Sequence, residues 1–540
     1  MTLFATLAVA LRRAASLAAL SSVLVATRAA AQSSVQHARA DSGLGTVHFA
    51  TSCRPAVALR YDHAIALLHS FEFGAAMRGF DDVLSTDSTC AMAHWGIALS
   101  RWTNPAVLTN RTPAALTKGR LAATSAGSLT ATPRERAYID AVAHLYADFE
   151  HVDQRTRVLA YESAMADLVA RFPADTEAKI FYALSIIAAA QPTDKSYTKQ
   201  RQAGALLESL WVAQPNHPGL AHYIIHSYDV PPLAPQAAAA ARRYADIAPA
   251  AAHALHMPSH TFTRLGQWEL SVRSNLRSAE AARRDSLLAE ELHASDYLVY
   301  AYLQMRRDAE AKAVLDGLPR IAARFDPATA TGAAPGWAGV FALAAIPARY
   351  ALERRAWADA ASLTPVRSAF PYTEAMTYFA RAIGAAHVER PADARVATDS
   401  LTAIHVRLLA SGETYWAEQI EIQRLGAQAW LDLAEGRKAD ALASMREAAS
   451  REDATEKSAV TPGPLAPARE LLGDLLMSLG RPAEALVEYR RTLAKEPRRF
   501  RALEGAHRAA LAARDRPAAA RYALDLKALT GGRPPGVPSR

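Results

Sequence analysis

Apolar and polar residues alternate with the period of an α-helix along most of the chain, and the amphipathic segments come in pairs. The first pair, within residues 57–90, reads RYDHAIALLHSFEF followed by GAAMRGFDDVLSTD. Two later pairs read EIQRLGAQAWLDLAEGRKADALASMREAAS and ARELLGDLLMSLGRPAEALVEYRRTLAKEP. Small residues such as Ala76 and bulky ones such as Phe80 stand where paired helices interlock. The pattern predicts an all-α protein built from helical hairpins.

The centre of the chain repeats with a fixed interval. His222 and His256 are 34 residues apart, and so are His226 and His260. This is the period of the tetratricopeptide repeat, in which each unit is a pair of antiparallel helices. We therefore predict a superhelical solenoid of tetratricopeptide type, in which the first helix of each pair lines the concave wall.

Breaks in the periodic pattern divide the chain into segments. Proline and glycine clusters mark the boundaries, and EDATEKSAVTPGPLAP is too rich in proline for an ordinary helix, so we expect an extended crossing segment there. The predicted organisation is a signal peptide at 1–31, an N-terminal extension at 32–56, a first helical-repeat block at 57–325, a linker at 326–339, a second block at 340–529 and a disordered tail at 530–540.

Residues 1–31 have the pattern of a secretory signal. Arg12 and Arg13 precede an apolar run from residue 14 to 26, and three alanines stand before Gln32. No later window holds 18 consecutive apolar residues, so no transmembrane segment is expected. The predicted location of the mature protein is periplasmic or secreted.

The charge of the mature chain is mild. Removal of residues 1–31 leaves 58 basic against 53 acidic residues, a net charge of +5, and the two signs are interleaved along the chain. A nucleic-acid-binding surface needs clustered basic residues. We therefore expect no nucleic-acid partner.

The two cysteines are Cys53 and Cys90. In an oxidising compartment an even count favours a disulfide, which here would tie the N-terminal extension to the first helix pair. Two buried thiols, or a copper or zinc thiolate site, are the alternatives.

Several local sequences resemble a known family. HPG…HxxxH followed by HMPSH and RLGxW is similar to a group of exported bacterial tetratricopeptide-repeat proteins. VHFATSC, CAMAHWGIA and EDATEKSAVTPGPLAPARELLGD are similar to the same group, so the resemblance covers most of the mature chain. It implies an all-helical repeat fold, and it supplies no activity.

Histidines concentrate where the repeat is clearest. Seven of the 17 histidines lie between residues 217 and 293. On a helical wheel they share stripes with other polar residues, opposite the apolar side that should be buried. The three stripes are His222, His226 and Asp229; His253, His256, His260 and Arg264; and His293, Asp296 and Tyr300. Because these lie on the first helices of their pairs, we predict that the stripes face the concave groove.

The common catalytic motifs do not occur: there is no P-loop, GxGxxG, GxSxG, HExxH or CxxC. Histidines four residues apart on a helix can share one metal ion, and two such pairs on packed helices can surround it. The candidate metal ligands are therefore His222, His226, His256 and His260. Imidazole ligands suit zinc or copper, and Asp229 or Asp296 would orient a ring.

Three hypotheses remain open from the sequence. The first is the metal site, with an enzyme as one possible use of it. The second is a groove that binds a protein or peptide partner, or a small ligand, through hydrogen-bond donors and acceptors. Its candidate residues are His253, Arg264, Asp229, His293, Asp296 and Tyr300. The third is a structural network in which the histidines bond one another and the aspartates. We expect an exported binding scaffold, and no reaction can be named from the sequence.

Overall fold

The computed structural model describes residues 43–105 and 109–531, and this part of the chain contains helices and no strands. The predicted signal peptide at 1–31 and all but the first two residues of the predicted tail lie outside the described residues. The prediction of an all-α fold is confirmed.

The helices of the N-terminal half follow one another with short connections. They are α1 (Ala58–His69), α2 (Phe73–Thr86), α3 (Ala91–Trp102), α4 (Pro113–Ser128), α5 (Pro133–His144), α6 (Gln154–Arg171), α7 (Thr176–Ala189), α8 (Thr198–Trp211), α9 (Pro218–Ser227), α10 (Ala238–Ile247), α11 (Ala252–His256), α12 (Pro258–Arg264) and α13 (Trp268–Arg284). Two 3₁₀ turns, Pro55–Val57 and Ala234–Ala237, precede α1 and α10.

The C-terminal half continues in the same way. Its helices are α14 (Leu288–Gln304), α15 (Asp308–Ala322), α16 (Gly336–Glu353), α17 (Trp357–Ser362), α18 (Pro371–His387), α19 (Pro391–Ala410), α20 (Thr414–Ala434), α21 (Lys438–Asp453), α22 (Ala468–Ser478), α23 (Pro482–Lys495), α24 (Phe500–Ala512) and α25 (Arg516–Thr530). A 3₁₀ turn at Pro327–Thr329 precedes α16.

Packing between helices is that of a repeat array. Each helix packs against its neighbour in the chain, and the first helices α14, α16, α18 and α20 also pack against one another in order. Packing of each unit against its neighbours is what defines a helical solenoid. Here α1 also contacts α9, and α14 contacts α24. The helical-hairpin repeat architecture expected from the 34-residue period is therefore confirmed.

The hydrophobic core has two main parts. One extends from Leu44 to Phe262 and includes Ala333, and the other extends from Trp268 to Leu529. The predicted linker at 326–339 is packed, since the backbone N–H of Ala334 donates to Glu290 at 2.6 Å. The first part of the core ends in α12 and the second begins in α13. The predicted division of the chain into two helical-repeat blocks stays a prediction.

Residues 454–467 connect α21 to α22 without forming a helix, and we call them the crossing segment. Tyr297 of α14 donates to the carbonyl oxygen of Ala459 at 3.1 Å, and Arg349 of α16 donates to those of Gly463 and Pro464 at 3.2 Å. The segment is thus held by the inner faces of the first helices. It occupies the space that the sequence suggested would be an open groove.

Cys53 and Cys90 form a disulfide, with their Cα atoms 4.9 Å apart. The bond ties the segment before α1 to the residue that precedes α3. It closes a loop with a sequence separation of 37 residues, and loops of this size contribute roughly 3–4 kcal/mol by restricting the unfolded chain.

Glycines in first helices receive aromatic rings from the helices packed against them. A Cβ atom added at Gly473 would lie 2.7 Å from the ring of Tyr489, which is fixed by a 2.6 Å bond from its hydroxyl to Asp474. We expect Gly473→Ala to lower the free energy of unfolding by about 1–3 kcal/mol, since overpacked cores lose this much.

The matched control for this prediction is Gly426→Ala in α20. Its added Cβ would have its nearest neighbours at 3.7 Å, an ordinary contact distance. Because alanine favours helix over glycine, this variant should gain about 0.5–1 kcal/mol. Chemical denaturation of both variants checks the pair, and equal effects would contradict the interlock.

Candidate metal centre

The six histidines at positions 222, 226, 253, 256, 260 and 293 meet in the interior. Helix α9 carries the first two, α11 and α12 the next three, and α14 the last. All six are buried, with exposed fractions of 7% or less. The expectation that they face an open groove is therefore corrected, because the crossing segment and neighbouring helices cover them.

Helices α11 and α12 would be one helix but for Pro258. Proline has no N–H to donate to the carbonyl four residues earlier, so the helix is interrupted at Met257. The backbone of Met257 nevertheless keeps helical angles, φ −52° and ψ −36°. The stripe drawn through His253, His256 and His260 on one wheel therefore survives the interruption.

The first triad consists of His222, His226 and His253, whose nearest ring nitrogens all lie within 4.8 Å of one another. The N–H at Nδ1 of His222 donates to the carbonyl oxygen of His69 at 2.6 Å, which leaves Nε2 as a lone pair. Among the described residues, Nε2 of His222, Nε2 of His226 and both ring nitrogens of His253 are buried and have no hydrogen-bond partner. Buried polar atoms are rarely left in this condition.

An apolar wall closes the first triad on one side. The ring of Phe71 lies 4.4 Å from that of His222, 5.5 Å from that of His226 and 5.7 Å from that of His253, measured between ring centroids. Phe71 thus excludes water from one face of the triad.

The second triad consists of His256, His260 and His293, again with ligand atoms within 4.8 Å. Nδ1 of His256 donates to the side-chain oxygen of Asn275 at 2.6 Å, and Nδ1 of His260 donates to Asp229 at 2.9 Å. Such outer hydrogen bonds are those that orient metal-binding histidines and fix which nitrogen is free.

Burial keeps these rings uncharged. Burial, with a smaller contribution from neighbouring His260, lowers the pKa of His226 and of His293 to about 3. Burial likewise lowers the pKa of His222, His253 and His256 well below the usual value. Neutral imidazole is the form that binds a metal ion.

One distance decides what the second triad can do. Nε2 of His256 and Nε2 of His260 are 3.1 Å apart, although each ring already carries its hydrogen on Nδ1. Two lone pairs at this separation repel. Two imidazole nitrogens on one tetrahedral zinc ion, at 2.0–2.1 Å each, would lie about 3.3 Å apart. The observed separation is thus close to that of two imidazole ligands of one tetrahedral ion.

Two carboxyl groups that the sequence pattern did not indicate lie beside the first triad. Oε2 of Glu290 is 4.0 Å from Nδ1 of His253, and Oε1 of Glu72 accepts from the backbone N–H of His253 at 3.4 Å. Burial raises the pKa of Glu290 to about 8 and that of Glu72 to about 7. Oε2 of Glu290 has no hydrogen-bond partner in the part of the chain that is described. It is thus a candidate fourth ligand.

Arg264, which the sequence predicted to bind a partner, is instead hydrogen-bonded within the protein. Its guanidinium donates to the carboxylate of Asp229 at 2.9 Å and to the backbone oxygen of Asp229 at 2.8 Å. Lys457 of the crossing segment lies 3.9 Å from the same carboxylate. Although burial alone would raise it, Lys457, Arg264 and His260 hold the pKa of Asp229 well below its usual value.

Two other predicted site residues lie apart from the histidines. Asp296 pairs with Arg349 at 3.0 Å, and the hydroxyl of Tyr300 lies 3.3 Å from Arg499 and 3.4 Å from Glu496. Both side chains are buried. They support the junction between α14 and the C-terminal half and contact no histidine of either triad in the described contacts.

The predicted four-histidine set is divided by the structure. His222 and His226 join His253, while His256 and His260 join His293. The two triads touch, since the ring centroids of His226 and His260 are 6.3 Å apart and those of His253 and His256 are 6.0 Å apart. The six histidines therefore form one cluster with two sites.

Comparisons with known proteins add little. No protein-family model matches the chain, and no curated protein matches its sequence. The human IFIT1 dimer with m7Gppp-AAAA is similar at 10% identity over 82% of this chain and 90% of that chain, with a TM-score of 0.36. A monomeric mutant of IFIT1 with Gppp-AAAA is 10% identical over 81% and 90%, with a TM-score of 0.37. Structural similarity this low does not identify a shared fold, so the fold is assigned from the arrangement of the helices alone.

The sequence predicted no transmembrane segment. None of the helices in residues 43–105 and 109–531 is both long and apolar enough to cross a membrane.

Proposed function

We propose that this protein binds transition-metal ions in its buried histidine cluster, one ion in each triad, and that the helical solenoid is the scaffold that holds the cluster. The ions are those that prefer imidazole, zinc or copper. The observation that carries the proposal is the facing pair of Nε2 atoms of His256 and His260 at 3.1 Å.

The donor set of the first triad supports the same conclusion. Each of the three imidazoles has at least one buried nitrogen without a hydrogen-bond partner among the described residues, and a carboxyl oxygen of Glu290 lies 4.0 Å from Nδ1 of His253 as a candidate fourth donor. Three histidines and one oxygen ligand form an ordinary tetrahedral zinc shell. A purely structural network would instead pair each buried nitrogen with a donor or acceptor.

Closure of the cluster favours storage or structural binding over catalysis. A catalytic metal keeps a position open to substrate, whereas Phe71 and the crossing segment cover this cluster. The peptide-groove alternative needs the same wall to be free, and Arg264 is already held by Asp229. We also propose that the protein is located outside the cytoplasm, and the Cys53–Cys90 disulfide supports this location.

Metal analysis of the purified, untagged protein tests the proposal directly. We expect about two tightly bound equivalents of zinc or copper per chain, measured by elemental mass spectrometry, and the same number of tight sites on titration of chelator-treated protein. Protein that is folded by circular dichroism and takes up no ion from either metal would overturn the proposal.

Single substitutions should remove one ion each. His222→Ala takes away one of three imidazoles from the first triad, and His256→Ala does so in the second, so each variant should lose about one equivalent while keeping the other. The measurement is again metal content per chain.

A matched control is His387→Ala. His387 is a half-buried imidazole whose pKa burial lowers to about 4, and it stacks between Trp357 and Trp430 far from the cluster in sequence. This variant should lose packing energy and no metal. Loss of both ions from every variant alike would point to unfolding as the cause.

A further inference from the structure

A third set of ligand-type side chains lies next to the cluster. Nε2 of His69 and Nε2 of His217 each lie 2.9 Å from a different oxygen of Glu177. All three side chains are buried, and their ligand atoms lie within 4.8 Å of one another. Two histidines and one glutamate are a known ligand set for zinc with a fourth position open.

This set differs from the two triads in reaching a surface cleft. Glu177 and His217 line a cleft of about 950 Å³ between the N-terminal extension, α7 and the turn before α9. Nδ1 of His217 is buried and has no hydrogen-bond partner among the residues described. In the described pockets, this set is the one whose own histidine lines a cleft, while none of the six histidines of the two triads does so.

The set also touches the first triad directly. The carbonyl oxygen of His69 accepts the 2.6 Å hydrogen bond from Nδ1 of His222. Gly219 makes the close approach possible, because a Cβ atom there would lie 2.5 Å from Nδ1 of His69 and 3.1 Å from Cε1 of His217. The third set therefore lies between the cleft and the first triad.

We propose that His69, Glu177 and His217 form an exchangeable metal site through which zinc or copper ions pass from the cleft to the histidine cluster. The inference rests on the proposed function, since it supplies the route that a closed cluster requires.

Binding at this site needs only a change of tautomer. In the metal-free protein Nε2–H of each ring donates to Glu177. When an ion binds at Nε2, the hydrogen of each ring is carried on Nδ1 instead. For His69 that nitrogen lies 3.1 Å from the hydroxyl of Tyr223, which can accept the bond. No electron transfer is involved.

The test is the rate at which chelator-treated full-length protein takes up Zn²⁺, followed by stopped-flow competition with a chromophoric zinc indicator. Glu177→Gln keeps the size of the side chain and removes the ligand charge. We expect it to slow uptake about tenfold or more, as loss of a charge that concentrates ions in a cleft does, while the final content of the cluster is unchanged.

The control is Asp175→Asn, which removes one negative charge from the lining of the same cleft and outside the ligand set. It should take up zinc at nearly the wild-type rate. His217→Asn gives a second variant at the cleft edge, and it should behave as Glu177→Gln does.

The outcomes separate the two proposals. If wild-type protein binds no zinc, the proposed function fails. If wild-type protein fills the cluster and both Glu177→Gln and His217→Asn fill it at the same rate, the third site is wrong while the proposed function stands. Equal slowing by Asp175→Asn would assign the effect to the general charge of the cleft and would also overturn the site.

Discussion

Acidification from about pH 6.5 to about pH 5 should lower the free energy of unfolding of the chelator-treated protein by about 4 kcal/mol through His226 and His293 alone. Burial lowers the pKa of both to about 3, whereas an unfolded histidine titrates near 6.5. Below pH 6.5 the unfolded chain therefore binds more protons than the folded one, so the free energy of unfolding falls as the pH falls. Each histidine contributes up to about 1.4 kcal/mol per pH unit in the window between 6.5 and 3.

The measurement is the free energy of unfolding of chelator-treated protein at several pH values. A His226→Gln, His293→Asn variant should have a visibly flatter acid limb than the wild type. His151→Gln is the control. That ring is 80% exposed and Asp148 raises its pKa, so removing it should not flatten the acid limb. Parallel acid limbs for wild type and the double variant would show that these rings are not held neutral.

The repeat period and the histidine stripes were readable from the sequence for a physical reason. Helical periodicity is local, so the wheel placed His222 with His226 and His256 with His260 correctly. The 34-residue interval placed the two pairs in adjacent repeats, and the structure brings their rings within 6.3 Å. His253 was assigned to the stripe of His256 and His260, and His293 to a third stripe with Asp296 and Tyr300. Both were predicted to bind a partner rather than a metal.

Other parts of the site depend on contacts that no local pattern reveals. Glu177 and His69 are 108 residues apart in the chain, and Lys457 lies more than 200 residues from Asp229. A wheel shows which face of a helix is polar, but it does not show what covers that face. The crossing segment was predicted from its prolines, and its place over the histidine stripes follows only from tertiary packing.

The buried polar interior explains why so many charged groups accompany the histidines. Asp229 pairs with Arg264 and with Lys457 beside the second triad, and Glu456 lies 3.9 Å from Arg264. Glu290 and Glu72 have raised pKa values beside the first triad, because burial penalises their charged forms. A metal cation in each triad would add the positive charge that the Glu290 side lacks.

Arg349→Met should lower the free energy of unfolding by about 3–5 kcal/mol. Arg349 is fully buried and donates to Asp296 at 3.0 Å, to Thr461 at 3.2 Å and to the backbone oxygens of the crossing segment. Methionine fills much of its volume but leaves the carboxylate of Asp296 buried without a counter-charge. The carbonyl oxygen of Pro464 loses its Arg349 donor, while that of Gly463 keeps a 2.6 Å bond from Thr461. Chemical denaturation gives the loss, and proteolysis between residues 454 and 467 reports release of the segment.

Two further variants identify the cause of that loss. Arg354→Met, at the residue that follows α16, removes a half-buried ion pair with Asp308 of α15, and its effect should stay below about 1 kcal/mol. Adding Asp296→Asn to Arg349→Met should recover part of the stability, because the uncompensated charge is then gone. A double variant no more stable than Arg349→Met would place the whole effect on the carbonyl oxygens of the crossing segment. Wild-type stability in Arg349→Met would show that this segment is held over the histidine cluster by other contacts.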